Sequence, residues 1–177
     1  MKNFNKDIFL IGFMGTGKSA ISSQLGEMMA LEVLDTDALI VNSTGMSIPE
    51  IFERKGQDYF RTLETEILQK ISKTKRHVIS CGGGVVLKAE NIEIMKKAGK
   101  IILLTASAET IYQRVKNDEQ RPLLKGNLNA EYINELMGKR QAAYHEAADI
   151  IIETDHKNMA EICSEIITKL EILEGTE

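Results

Sequence analysis

The chain has little that would tie it to a metal cluster, a membrane or a nucleic acid. Its 177 residues include only two cysteines, Cys81 and Cys163. They form neither a metal-ligand spacing nor a disulfide framework, and such sparse usage fits a reducing compartment. Aromatic residues make up only 5% of the chain, and the net charge is -4. A nucleic-acid binder needs a basic face and rings on which bases can stack, so no nucleic-acid partner is expected. No stretch approaches the ~20 apolar residues of a membrane span. At the N-terminus, Ile8-Phe9-Leu10-Ile11 follows Lys2 and Lys6 but stops at once in a glycine-rich turn. A signal peptide would continue into a small-residue cleavage site, so this run reads as a short buried strand. There is no internal repeat or low-complexity linker, and His77, His145 and His156 are too scattered to form a ligand pair. A cytoplasmic protein with no membrane contact is the expectation.

What is present is a layered pattern. Apolar residues at 43% are enough for a core, and charged residues at 27% make an ordinary surface, so residues 1–177 are expected to form one domain. Short runs rich in Ile, Val and Leu occur at Ile8–Ile11, Glu32–Asp35, Val78–Cys81, Ile101–Leu104 and Ile150–Ile152. They read as parallel strands covered on both faces. Helical patterns fill the gaps at Lys18–Met29, Lys88–Ala98, Ser107–Val115, Asn129–His145 and Met159–Leu173. Ser47-Ile48-Pro49-Glu50 reads as a capping box that opens a helix ended by Gly56. Asp58 is expected to cap the next helix, and Gly99 to close the Lys88–Ala98 helix as a C-terminal glycine. Alternation of this kind implies an α/β fold with a parallel five-stranded sheet and helices on both faces. In such sheets ligands collect at the carboxyl ends of the strands.

Gly12-Phe13-Met14-Gly15-Thr16-Gly17-Lys18-Ser19 matches the phosphate-binding pattern G-x-x-x-x-G-K-[ST] in full. The glycines let the backbone curl so that successive N–H groups face phosphate oxygens. The helix that follows adds the positive end of its dipole. Lys18 supplies a point charge for the β- and γ-phosphates, and Ser19 a hydroxyl for Mg²⁺. The context, a strand entering and a helix leaving, is the one this motif requires.

Many proteins with this loop hold Mg²⁺ through an Asp at the end of another apolar strand. Val78-Ile79-Ser80-Cys81 offers no such Asp, whereas Leu34-Asp35-Thr36-Asp37 does. On extended backbone Asp35 and Asp37 would share one face. One can then serve the Mg²⁺ shell while the other faces a second substrate. The alternative is that Asp37 only caps a helix begun by Ala38.

Taken together, the motifs resemble shikimate kinase. The resemblance runs in order through the phosphate loop, Asp35-Thr36-Asp37, Ser47-Ile48-Pro49-Glu50-Ile51-Phe52 and Phe60-Arg61-Thr62-Leu63-Glu64. It continues through Cys81-Gly82-Gly83-Gly84, Arg121-Pro122-Leu123-Leu124 and Arg140-Gln141-Ala142-Ala143-Tyr144, covering most of the chain. It implies a P-loop kinase three-layer sandwich that moves the γ-phosphoryl group of ATP onto a hydroxyl of shikimate, giving shikimate 3-phosphate and ADP with Mg²⁺ as cofactor. ATP-binding residues would be Gly15, Thr16, Gly17, Lys18, Ser19, Ala20, Arg114 and Arg121, with Ser19 and Asp35 on the metal. Arg61 and Arg140 would hold the substrate carboxylate, which suits the planar fork of a guanidinium. Glu64, one helical turn after Arg61, would orient the arginines from behind. Gly82 and Gly83 would meet the substrate ring through backbone N–H groups. Asp37 would bind substrate hydroxyls and act as the base or orienting group for the attacking one.

The resemblance also implies a lid. Residues 117–128 are polar and carry Pro122 and Gly126, and Arg121 would reach the phosphates on closure, so that Lys18, Asp37 and Arg121 form the catalytic set. Closure would exclude water, the competing acceptor. Arg114 is expected to stack on adenine, facing the loop near Thr154 and Asp155. The family commonly has Ser or Thr where Cys81 stands, so this chain carries a thiol beside the site. A gluconate kinase would share the phosphate loop, but the Phe60-Arg61 and Arg140 elements, the triple glycine and Arg121-Pro122 favour shikimate. A nucleotide-binding regulator without catalysis would lack some of Asp37, Arg61, Arg121 or Arg140. The expected state is a monomer with ATP and shikimate as its partners.

Overall fold

The computed structural model describes residues 4–74, 76–116 and 129–175. In chain order the elements are β1 (Asp7–Ile11), α1 (Lys18–Met29), β2 (Glu32–Asp35), α2 (Thr36–Thr44), α3 (Ile48–Lys55) and α4 (Gln57–Ile71). After these come β3 (His77–Ser80), a 3₁₀ turn (Val85–Leu87), α5 (Ala89–Ala98) and β4 (Gly99–Thr105). The remaining elements are α6 (Ala108–Val115), α7 (Ala130–Ala147), β5 (Ile150–Glu153) and α8 (Met159–Gly175). The five strands form one sheet in the order β2-β3-β1-β4-β5, every pairing parallel. All five strands expected from the sequence are present. Among the described residues, no helix is long and apolar enough to cross a membrane.

The pleat of β1 sorts its side chains into two layers. Phe9 and Ile11 join Ile79, Ile101 and Leu103 against Ile40, Ile51, Phe60, Leu68 and Met95 from α2, α3, α4 and α5. Ile8 and Leu10 join Val78, Ile102 and Leu104 against Ile21 and Leu25 of α1 and Ile162, Ile166 and Leu170 of α8. A third cluster, Phe13, Ile111, Val115 and Ile133, ties α6 and α7 to the loop after β1. The edge strands depart from full coverage: Val33 in β2 and Ile151 in β5 are exposed. An edge strand has a neighbour on one side only.

Local signals place most helix ends, and the differences are instructive. The capping box is present, with Ser47 Oγ accepting from the Glu50 N–H and Glu50 Oε2 from the Ser47 N–H. Asp58 does not cap α4. Gly56, at φ 82°, is both the end of α3 and the start of α4, and its carbonyl accepts from the Phe60 N–H at 3.4 Å. Asp58 sits in the first turn, where its charge faces the positive helix end. Gly99 is extended rather than left-handed, and it opens β4 opposite Asp7. A Cβ there would land on the Asp7 backbone, so close strand approach, not capping, requires the glycine. Helix α2 is foreshadowed in the sequence only by the alternative in which Asp37 caps a helix, and α8 runs on to Gly175.

Two glycines should therefore respond oppositely to a methyl group. Gly138 lies inside α7, where an added Cβ would find nothing within 4 Å, and Gly138→Ala should stabilise by about 0.5–1 kcal/mol through backbone entropy alone. Gly99→Ala should destabilise by about 2 kcal/mol or more, because backbone must move to admit the methyl group. Urea unfolding of both variants measures the difference, and equal midpoints would contradict it.

Candidate active site

The phosphate loop is held against the sheet before any ligand is considered. A Cβ at Gly12 would strike the Leu104 carbonyl, so the chain leaves β1 pressed onto β4. Buried Thr16 donates its hydroxyl to the Phe13 carbonyl at 2.8 Å, closing the loop on itself. Gly17, at φ 97°, precedes α1, and no acidic residue occupies the first turn of that helix. Its positive end thus faces the loop unopposed. Lys18 Nζ lies 2.9 Å from the Gly12 carbonyl and 3.0 Å from that of Phe13, which aims the ammonium across the mouth of the loop.

Beside it opens a cleft of about 370 Å³. Its walls include Lys18, Ser19, Asp35, Asp37, Gly82 and Gly83, with Ser80, Cys81 and Arg114. Ser19 Oγ lies 3.4 Å from both Asp35 Oδ2 and Ser80 Oγ. A carboxylate and two hydroxyls form a hard-oxygen set, a donor chemistry that would fit a hard divalent cation. Ser80, which ends β3, carries no signal in the sequence.

Asp35 and Asp37 both reach the cleft, but not along one extended face. The chain enters α2 between them, and Asp35 is the cap: its Oδ1 accepts from the Ala38 N–H at 3.1 Å. Asp37 therefore stands in the first helical turn. Thr36, between them, is buried, and its hydroxyl accepts from the Gly82 N–H at 2.9 Å. The Gly82 N–H, expected to meet a substrate ring, is thus already engaged. What Gly82 provides is clearance, since a Cβ there would sit 2.7 Å from Asp37 Oδ1 and 3.0 Å from Glu64 Oε1.

The other two glycines receive the arginines. The Arg61 guanidinium occupies the space that a Gly84 Cβ would fill. Arg140 donates to the Gly83 carbonyl at 3.2 Å, and the Tyr144 hydroxyl donates to the same oxygen. Arg61, from α4, and Arg140, from α7, thus converge on adjacent residues of one loop. Arg61 also forms an ion pair with Glu64, which is buried to 1% exposure, and stands over the Phe60 ring with its guanidinium carbon 5.4 Å from the centroid. Burial raises the Glu64 pKa, an effect only partly offset by Arg61. Glu64 Oε1 and Arg61 Nε are buried without hydrogen-bond partners. Unsatisfied groups of this kind carry a desolvation cost unless a ligand or water answers them.

At the far end of the cleft, Arg114 donates to the Gly15 carbonyl at 3.1 Å, to Thr154 Oγ1 at 3.2 Å and to the Thr154 carbonyl at 3.3 Å. The expected facing of Arg114 and Thr154 is thus observed, with the edge of the guanidinium fixed and its side chain at the surface. Asp155 turns instead to the start of α6, accepting from the Ser107 N–H at 2.9 Å and from the Ser107 and Thr110 hydroxyls. Despite partial burial, those bonds hold its carboxyl below the usual range. Arg121 and residues 117–128 lie outside the described residues.

This fold and site define a P-loop phosphotransferase with two arginines gathered on a glycine loop beside the phosphate loop. The family model for shikimate kinase matches residues 14–171. A shikimate kinase of Geobacter metallireducens is 40% identical over 94% of this chain and 92% of its own length. One from Thermodesulfovibrio yellowstonii is 42% identical over 95% and 96% respectively. Among solved structures, shikimate kinase from Acinetobacter baumannii in complex with shikimate superposes with a TM-score of 0.88, at 34% identity over 93% of this chain and 92% of that one. The Aquifex aeolicus enzyme gives 0.81 at 38% identity, over 93% and 96%. The chain belongs to the shikimate kinase family.

Cys81 is 2% exposed, and burial pushes its thiol up, with Lys18 pulling the other way. Cys163 is also buried and its thiol is raised as well. Since the thiolate is the reactive form, alkylation of the native protein near neutral pH should be at least about tenfold slower than after unfolding. Mass spectrometry would show two adducts appearing only with denaturant, and rapid labelling of Cys81 in native protein would contradict the burial.

Proposed function

We propose that the cleft at the carboxyl ends of β1, β2 and β3 divides the chain's activity, transfer of the γ-phosphoryl group of ATP to a hydroxyl of shikimate, among the following residues. The nucleotide phosphates lie in the loop formed by Gly15, Thr16, Gly17, Lys18, Ser19 and Ala20, at the positive end of α1. Lys18 neutralises charge on the β- and γ-phosphates. Arg114 offers its face to the adenine ring while its edge stays tied to Gly15 and Thr154. Arg121 keeps the phosphate contact that the family pattern gives it.

Ser19 and Asp35, with Ser80 beside them, hold Mg²⁺. When bound, the ion neutralises charge that develops on the phosphate oxygens. Arg61 and Arg140 grip the substrate carboxylate as guanidinium donors, and Glu64 fixes Arg61. The bare Cα of Gly82 lets Asp37 stand at the substrate hydroxyl. That hydroxyl oxygen forms its bond to the γ-phosphorus as the bond from phosphorus to the ADP oxygen breaks, and its proton passes to the Asp37 carboxylate. Phosphoryl transfer is loose in character, so alignment and charge neutralisation carry most of the rate enhancement.

The observation that supports this division is the meeting of Arg61 and Arg140 on Gly84 and Gly83, in the same loop that walls the Lys18 cleft. An organic anion gripped there lies beside the phosphate loop. All the described groups come from one chain, so a monomer suffices. The sparse cysteines fit a cytoplasmic enzyme.

Purified protein with MgATP should release ADP far faster with shikimate than with gluconate or with water alone, and equal rates would remove the acceptor assignment. Arg140→Ala should raise the shikimate KM by about ten- to a hundredfold, the worth of a charged hydrogen bond, with the ATP KM little changed. Asp37→Asn should lower kcat by about 10²- to 10⁴-fold if the carboxylate takes the proton. Turnover near the wild-type value would leave Asp37 without that role.

A further inference from the structure

We propose that Tyr144 is a positioning residue for the acid-binding compartment, its hydroxyl clamping the Gly83 carbonyl so that the glycine loop and Arg140 hold one relative geometry. The inference rests on the assignment of Arg140 to the substrate carboxylate.

Three observations carry it. First, Tyr144 lies four residues after Arg140 on α7, so both side chains project from one helical face, and both donate to the same oxygen. A carbonyl oxygen has two lone pairs, and here each is answered from α7. Rotation of the Gly83–Gly84 peptide would break both bonds at once, so the loop is referenced to the helix that supplies an arginine. Gly84 in turn packs against the other arginine, Arg61.

Second, the tyrosine is anchored. Tyr144 is only 4% exposed and packs in the core with Phe60 and Val85, so its hydroxyl reaches the loop from a fixed base. The hydroxyl bond is the polar contact that ties this base to the glycine loop. Third, the hydroxyl remains a donor throughout the working range. Burial pushes the phenol up to about 12, although Arg140 and Arg61 pull it down. It is neither a base nor a proton carrier for the reaction, and it does not line the phosphate cleft. Its influence must pass through the loop.

The test is Tyr144→Phe, which keeps the ring and removes only the donor. Gly83 retains its Arg140 partner, so no buried carbonyl is orphaned and the melting temperature should stay within a few degrees. The shikimate KM should rise by about three- to tenfold, the worth of one neutral hydrogen bond, while kcat and the ATP KM stay within about twofold. Amide hydrogen exchange in a peptide spanning Gly82–Gly84 should speed up in the variant. Arg140→Ala is measured in parallel. If it raises the shikimate KM while Tyr144→Phe leaves that constant and loop exchange unchanged, the clamp is refuted and the acid compartment stands. If neither variant affects shikimate, the compartment is misassigned and the clamp falls with it. A joint rise of both KM values with a collapse in melting temperature would make Tyr144 a general scaffold residue, which also overturns the proposal.

Discussion

The absence of side chains at Gly82 and Gly84 is the constraint on which the site depends. Each gives way to a different neighbour. Gly82 leaves room for the carboxylates of Asp37 and Glu64, and Gly84 admits the Arg61 guanidinium, while Gly83 between them offers its carbonyl to α7. Elsewhere a run of three glycines would weaken the chain by conformational entropy. Here the loop is fastened at one end by the Thr36 hydroxyl, and Val85 begins a 3₁₀ turn at the other. The floppiest backbone chemistry available has been made a fixed surface by groups from α2, α4 and α7.

Electrostatics follow from that close approach. Arg61 and Glu64 are brought together in a nearly dry place, where an ion pair gains strength but each charge also loses hydration. Burial dominates at Glu64, whose carboxyl is raised even beside an arginine. Such a pair is a weak source of stability. Its value is geometric, since Arg61 cannot turn away from the loop without leaving Glu64 as a buried charge. The cost of assembling the compartment is thus carried by the folded protein in advance, which is what preorganisation means for a binding site.

Much of this was legible in the sequence because it is local. The five strands, the phosphate loop and the Ser47–Glu50 capping box depend on residues within a few positions of one another. The arginines and the triple glycine could be found by family pattern, though not how they meet. What failed depended on distant chain. Asp35 and Asp37 looked like neighbours on an extended strand, but Asp35 ends the strand and caps α2. Gly99 does end α5, as expected, but what demands a glycine there is Asp7 on the neighbouring strand. Ser80, Thr36 and Tyr144 have no distinctive spacing, and their roles exist only once β2, β3 and α7 are side by side. Arg114 faces the loop at Thr154 and Asp155 as expected, but the hydrogen bonds of Asp155 to Ser107 and Thr110 at the start of α6 had no signal in the sequence.

The two cores on opposite faces of the sheet carry one more implication. The helix behind the phosphate loop, α1, packs with α8 on one side, whereas α4, which carries Arg61, packs with α2, α3 and α5 on the other. The strands lie between the two layers, and α7 joins the phosphate loop to the layer that carries Arg61. Substitutions among α2, α3 and α5 can therefore reshape the support of Arg61 while the packing of α1 on α8 is left as it is. The same partition lets the architecture serve as a chassis whose two faces can be altered separately.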